Sequence, residues 1–285
     1  MRIRSLGYAT DVDVLPTGAI IEDRGPFVVV RSPSNPTHYW GNFLIFREPP
    51  VEGDRERWEA HFDHEICARS HIAFGWDVID GDVGAAAAEF VAAGYELQED
   101  VVLVAEPEEL RAHARASDDV VIRALDPTPG VDEAGWDAAT RVQVENRDPG
   151  HTEADHRAFV DARTADRRRR FVSGDGAWFV AETADGDVVA GCGVVVTEGR
   201  GRFQSVDTLE AWRNRGIASR LVHDAGRAAI ERFGAERLVI VADSTYHALP
   251  LYESLGFVPR ERTAGVCWWP GATNASRHPQ RGAVA

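Results

Sequence analysis

Two periods of hydrophobicity run along this chain. Short continuous apolar runs predict strands: "PFVVV" (26–30), "YWGNFLIF" (39–46), "HIAFGWDV" (71–78) and "EDVVLVAE" (99–106). Between them, "DRERWEAHFDHEICA" has helical spacing, with Trp58, Phe62 and Ile66 four residues apart. "GAAAAEFVAAGY" predicts a second helix, stopped by Gly94. A polar stretch, "HARASDD" (113–119), then separates two apolar segments and predicts a domain boundary.

After it the pattern resumes in a new order. "DVVIRAL" predicts a strand, and "DEAGWDAATRVQVEN" and "TEADHRAFVDARTADRRRR" two helices. "GAWFVAETADGDVVAGCGVVVTEG" predicts a hairpin turning at Asp185-Gly186-Asp187. "RFQSVDTL" predicts a strand, and a helix follows to Phe233, with Ile217, Leu221, Ala225 and Ala229 on one face and Gly234 as its stop. "RLVIVAD" is a strand, "TYHALPLYESLGF" a short helix closed by Gly256, and "TAGVCWWP" a last strand. The second half thus reads β-α-α-β-β-β-α-β-α-β. The expected domains are 1–117, 118–270 and a polar tail, 271–285, read as disordered.

Composition narrows the chemistry. The 285 residues carry 44% hydrophobic residues, enough for a full core in one or two domains. All 31 basic residues are Arg, so a Walker P-loop and a lysine Schiff base are excluded. The net charge of −15 argues against nucleic acid as the main partner and suits cationic or amine substrates. Cys67, Cys192 and Cys267 are far apart and odd in number, neither a disulfide framework nor a zinc spacing, so a reducing cytoplasm is expected. The N-terminal segment has no apolar h-region and no run approaches membrane-spanning length.

"AWRNRGIASRL" (211–221) raises the sharpest question: why do Arg213, Arg215 and Gly216 sit at the mouth of a helix? Unpartnered N–H groups and the helix dipole make that end a natural anion site. A glycine there removes the Cβ that would hold a ligand away.

The order of elements and the residues together resemble the GCN5-related N-acetyltransferase (GNAT) superfamily over about residues 118–270. Its Gln/Arg-x-x-Gly-x-Gly/Ala signature reads here Arg213-Asn214-Arg215-Gly216-Ile217-Ala218. The preceding "VDTLEAW" resembles the family's fourth strand, with Val206 and Thr208 at its apolar or small positions. "ALPLYESLGF" resembles the second signature, a helix carrying a tyrosine before Leu-Gly-Phe. The resemblance implies an α/β fold with a mixed sheet whose fourth and fifth strands splay apart. It implies acetyl-CoA as cosubstrate, its pyrophosphate on backbone N–H groups from Asn214 to Ser219 and its pantetheine arm along Val206, Asp207 and Thr208. It implies Tyr252 as general acid, a phenol with pKa near 10 that can protonate the departing thiolate.

Two positions depart from the family pattern. Where the family often has a CoA-contacting Asn, this chain has Thr245, which can instead cap the helix. Where many members carry a strand-five Glu as general base, this chain has Ile240. Because an alkylammonium is only about 0.04% neutral at pH 7, a proton acceptor is wanted; candidates are Glu145, His151, Glu153, Asp155, His156, Asp243 and His247. In "HFDHE" (His61, His64, Glu65) the two His lie three apart on a helix with no obvious further ligand, so the stretch reads as surface, as does the "RRRR" run at 167–170, and no metal is expected.

The first half echoes the second. Gly94-Tyr95 matches Gly256-Phe257, and Phe90 lies where Tyr252 lies, yet residues 1–117 contain no Arg-x-x-Gly-x-Gly/Ala turn. The expectation is a degenerate GNAT-like copy beside one live copy, with one CoA per chain. The leading function is N-acetyl transfer to an amine of a small molecule or peptide, in a ternary complex. The alternative is a CoA-binding pseudoenzyme acting as sensor or scaffold. A homodimer is compatible with the sequence; a nucleic-acid or membrane partner is not expected.

Overall fold

A computed structural model describes residues 3–66, 70–147, 150, 152–245 and 248–270. It is a mixed α/β fold with seven helices and eleven strands among the described residues. The described residues divide into two compact units, one made of those up to Val102 together with 261–270, the other of Leu103–Arg260. The first division falls inside a strand, not in the polar stretch 113–119, which belongs to the second unit.

The first unit opens with α1 (Leu6–Asp13), whose cap, Ser5, accepts from the Tyr8 N–H. Neither α1 nor β1 (Ile20–Asp23) is marked by a strong apolar period, so neither is predicted from sequence. There follow β2 (Phe27–Arg31), β3 (Phe43–Phe46), α2 (Asp54–Glu65), β4 (Ile72–Trp76), α3 (Ala87–Ala92) and β5 (Glu96–Ala105), which ends past the unit's edge. "YWGNFLIF" is a strand only in its second part; Tyr39–Gly41 is a 3₁₀ turn.

β11 (Val258–Trp268) returns to this unit from Glu261 and pairs antiparallel with β4. Gly265 faces Gly75 in that ladder. A Cβ on Gly75 would lie 2.5 Å from the Tyr8 ring, and one on Gly265 would lie 3.0 Å from the Tyr8 hydroxyl. The two glycines leave the space that Tyr8 fills, and its hydroxyl donates to the Ala264 carbonyl at 2.6 Å. On one face of the sheet Phe46, Trp58, Phe62, Phe74, Trp76 and Phe90 form a closed aromatic core; large buried aromatics supply much of a small unit's hydrophobic stabilisation.

The second unit contains β6 (Val120–Ala124), α4 (Glu133–Glu145), α5 (Glu153–Val172), β7 (Gly176–Thr183), β8 (Val188–Thr197), β9 (Arg200–Thr208), α6 (Ile217–Phe233), β10 (Arg237–Asp243) and α7 (Leu249–Ser254). Its strands lie in the order β10-β9-β8-β7-β6. β6 to β9 form an antiparallel meander, and β10 joins β9 in parallel after the α6 crossover. The predicted apolar face of α6, Ile217, Leu221, Ala225 and Ala229, is buried. Phe203 of β9 lies near Gly226 of α6, while the next residue, Gln204, bonds Arg167 of α5. Successive strand residues point to opposite faces, so α6 and α5 cover opposite sides of the sheet.

Candidate active site

The site is built where β9 leaves its neighbour. β9 and β10 pair only at Arg200, Gly201 and Arg202. Beyond that register, Phe203–Thr208 of β9 and Ile240–Asp243 of β10 run on without a shared ladder, and a cleft opens between them. On its other edge β9 carries a bulge. Gly193 faces Gln204, and Gly191 faces Asp207, so three steps on β9 match two on β8. The extra residue is taken up at Ser205, which has φ 48°. The bulge turns Gln204 and Asp207 to the same face.

β9 ends in a short 3₁₀ turn, Glu210–Trp212, before α6. Arg213 is tied down there: its Nε donates to the Thr208 carbonyl at 3.1 Å and its Nη2 to Asn146 Oδ1. Arg215 lies over the Trp212 ring, 4.7 Å from its centroid. Asn214 and Gly216 both have left-handed backbone, φ 60° and 75°, which Asn and Gly tolerate best. Alternating hands turn successive N–H groups toward one point. Among the described residues, the backbone N–H groups of 214–219 donate to no acceptor; the first helical bond here is Arg220 N–H to the Gly216 carbonyl at 3.1 Å. The six donors form a ready cradle for an anion.

Gly216 has a further reason to be glycine. A Cβ there would lie 1.8 Å from the Arg115 carbonyl oxygen. The Ser117 N–H donates back to the Gly216 carbonyl at 3.2 Å. Gly256, φ 103°, is in the same position: a Cβ would lie 1.9 Å from the Glu109 carbonyl. Arg111 caps the end of α7, its N–H on Leu255 and its guanidinium on the Ser254 and Glu253 carbonyls. The stretch 109–117 is thus packed against both motif-bearing turns.

Tyr252 is buried on α7, its ring 6.3 Å from Phe257, which in turn lies 5.9 Å from Phe203 of β9. Thr245 does not cap α7, which starts at Leu249 with Ala248 as its N-cap residue. Its N–H and hydroxyl instead bond Asp243 Oδ1 at 2.7 and 2.6 Å, a local turn at the end of β10.

The proton acceptors expected from sequence sit in local surface arrangements. Glu145 pairs with Arg141, Glu153 with Arg147, Asp155 with Thr152, Asp243 with Thr245, and His156 lies against Phe159. His151 and His247 lie outside the described residues, as do Cys67 and the tail 271–285.

Asp207 is different. Its side chain makes no hydrogen bond or ion pair among the described residues, and it faces the guanidiniums of Arg167, Arg163 and Arg213. Part of it still touches solvent, yet burial pushes its carboxyl up to about 7 against the pull of the three arginines. From sequence alone Asp207 has only a place along the pantetheine arm. The missing signal is the Ser205 bulge, which no local pattern marks.

The "RRRR" run corrects another expectation. Arg168 and Arg169 pair with Glu133 and Asp166, but Arg167 is only 5% exposed. It falls on the helix face turned to the sheet, one turn after Arg163.

Residues 174–259 match the family model of the acetyltransferase (GNAT) domain. The chain carries a GNAT domain. A GCN5-related N-acetyltransferase from Kribbella flavida has a similar structure, with TM-score 0.62 and 17% identity over 96% of this chain and 98% of that one. A conserved protein of unknown function from Staphylococcus epidermidis gives TM-score 0.66 and 17% identity over 90% and 96%. A tandem GNAT protein from the clavulanic acid biosynthesis pathway gives TM-score 0.54 and 13% identity over 96% and 91%. No curated protein sequence matches at a significant level. At these identities the likeness is one of fold, and it extends over both halves. Inside the first unit the GNAT motif helix has a local counterpart: Tyr95 N–H donates to the Phe90 carbonyl at 3.0 Å across Gly94, as Phe257 N–H does to Tyr252 at 3.1 Å across Gly256.

Proposed function

We propose that the GNAT domain transfers acetyl from acetyl-CoA to the amine of a small acceptor, by direct attack in a ternary complex. The carrying observation is that β9 parts from β10 after Arg202 and leads straight to the free N–H groups of 214–219. A cleft with an open strand edge suits an amide-bearing arm, and the N–H row suits a pyrophosphate. Acetyl-CoA supplies the activated thioester; everything else falls to the chain. Val206, Asp207 and Thr208 line the arm, and Asn214 to Ser219 hold the pyrophosphate. Asp207, with its raised pKa, takes a proton from the acceptor's ammonium so that the neutral amine attacks, in place of the carboxylate base that Ile240 cannot provide. Tyr252 gives a proton to the leaving thiolate. In this reading the first unit is a degenerate GNAT copy, since Phe90 stands at the Tyr252 position and the Arg/Gly turn is missing.

Thiol release from acetyl-CoA across an amine panel tests the reading. Turnover with at least one amine is expected. CoA binding without turnover on any acceptor would make the domain a CoA-binding sensor or scaffold.

A further inference from the structure

Arg167 carries a buried charge that no carboxylate meets at contact distance among the described residues; Asp207 acts on it only from further off. The Arg167 Nη2 donates to Gln204 Oε1 at 2.8 Å, its Nη1 lies 3.5 Å from Gln143 Oε1, and its guanidinium lies 5.0 Å from the Trp178 ring centroid. Arg163, one turn earlier on α5, donates to the same Gln204 oxygen at 3.1 Å. Among the described residues no carboxylate comes within ion-pair distance of Arg167. Burial of a cation whose direct contacts are two neutral amides and an aromatic ring is costly. A donor nearby is unspent: the Trp178 Nε1–H is buried without a partner among the described residues. Trp178 lies over the β8 glycines, its Nε1 3.1 Å from where a Gly191 Cβ would be and its ring edge 2.9 Å from a Gly193 Cβ. Those glycines face Asp207 and Gln204, so Gln204, Asp207, Trp178 and the arginines share one face of the unit.

We propose that this cluster is a carboxylate subsite of the acceptor pocket, and that the acceptor is a free amino acid or a similarly small amino-carboxylate. Arg167 and Arg163 hold the carboxylate, with Gln204 and Gln143 fixing the two guanidiniums in place. A planar guanidinium matches a carboxylate through two parallel hydrogen bonds. Asp207, about one strand repeat or 7 Å along the same face, meets the amine end. A short molecule with both groups fits that spacing; a polyamine has nothing to offer Arg167. The inference rests on the reading of β9 as the strand beside the transferred acetyl group.

The test is calorimetric binding to the CoA-saturated protein of the proteinogenic amino acids, each beside its carboxamide. One or more free acids should bind about tenfold or more tighter than the amide, as expected for a charge-assisted bond. Arg167→Gln should erase that preference. Arg163→Gln, at a more exposed position, serves the same purpose if the buried substitution does not fold. Equal binding of acids and amides, no binding by any member, or a preference that survives both substitutions would overturn the proposal. Thiol release separates the two readings. Carboxylate preference without thiol release leaves the subsite and removes acetyl transfer; release with amides as fast as with acids does the reverse.

Discussion

Tyr252 and Asp207 are single atoms' worth of chemistry on a large scaffold, and each can be tested alone. Tyr252→Phe keeps the buried ring against Phe257 and deletes only the hydroxyl. Turnover should fall about 10²- to 10⁴-fold while CoA affinity by calorimetry is unchanged; a turnover within about twofold of the parent would mean that its role is packing. Asp207 makes a prediction with a sign. Its carboxyl ionises near pH 4 in the unfolded chain and at about 7 in the folded one. Between those values the native state binds the extra proton, so folding loses stability as pH rises from about 4 to 7. As a base it must be ionised, so kcat/KM should climb through pH about 7. Asp207→Asn should remove that limb and raise Tm at pH 8 relative to the parent, a gain in stability at the expense of activity. A variant with unchanged pH–rate profile would return the role of base to another group.

At the scale of elements, the α6 entrance serves two masters, and substitutions there must be chosen to separate them. Gly216→Ala places a methyl at φ 75° into the Arg115 carbonyl. It should destabilise by about 2 kcal/mol or more, read in thermal denaturation, whether or not CoA is present. Ala218→Glu, at the second helical position, puts a carboxylate where the helix dipole welcomes it but where a pyrophosphate would be repelled. Tm should hold while CoA affinity falls about tenfold or more; unchanged affinity would remove the cradle. The same logic applies to α7. Arg111 satisfies three carbonyls at its C-terminal end, so Arg111→Ala should speed amide exchange in residues 249–257 and lower stability by about 1 kcal/mol. Exchange unchanged from the parent would show that α7 holds its own end.

For the molecule as a whole, the tandem reading predicts one CoA per chain. The first unit repeats the Phe90–Tyr95 turn of the motif helix but has neither the Arg/Gly turn nor a hydroxyl at Phe90. Titration of the intact protein should give a stoichiometry of about one. Two CoA molecules per chain would show that the first unit keeps a working site that no local motif marks.

How much was legible follows from the range of the forces involved. Helical and strand periods, the αL glycines and the Arg-x-x-Gly turn are local: they depend on a few neighbouring residues, so α2, α6, β7 to β10 and the turn at 213–218 could be read directly from the chain. The domain limits were not local. β11 follows the second half in sequence but belongs to the first unit from Glu261 onward, because what selects a strand's place is its ladder with β4 and the space over Gly75 and Gly265, not its position in the chain. The same holds in the site. That Arg167 is buried, that Asp207 and Gln204 share a face, and that Gly216 answers to Arg115 all depend on a one-residue bulge and on backbone approaches between segments far apart in sequence. The sequence by itself determined the Arg-x-x-Gly-x-Ala signature and the helix start that follows it. Only the tertiary structure decided which acid meets the arginines, since burial and its effect on charge arise when distant segments pack together.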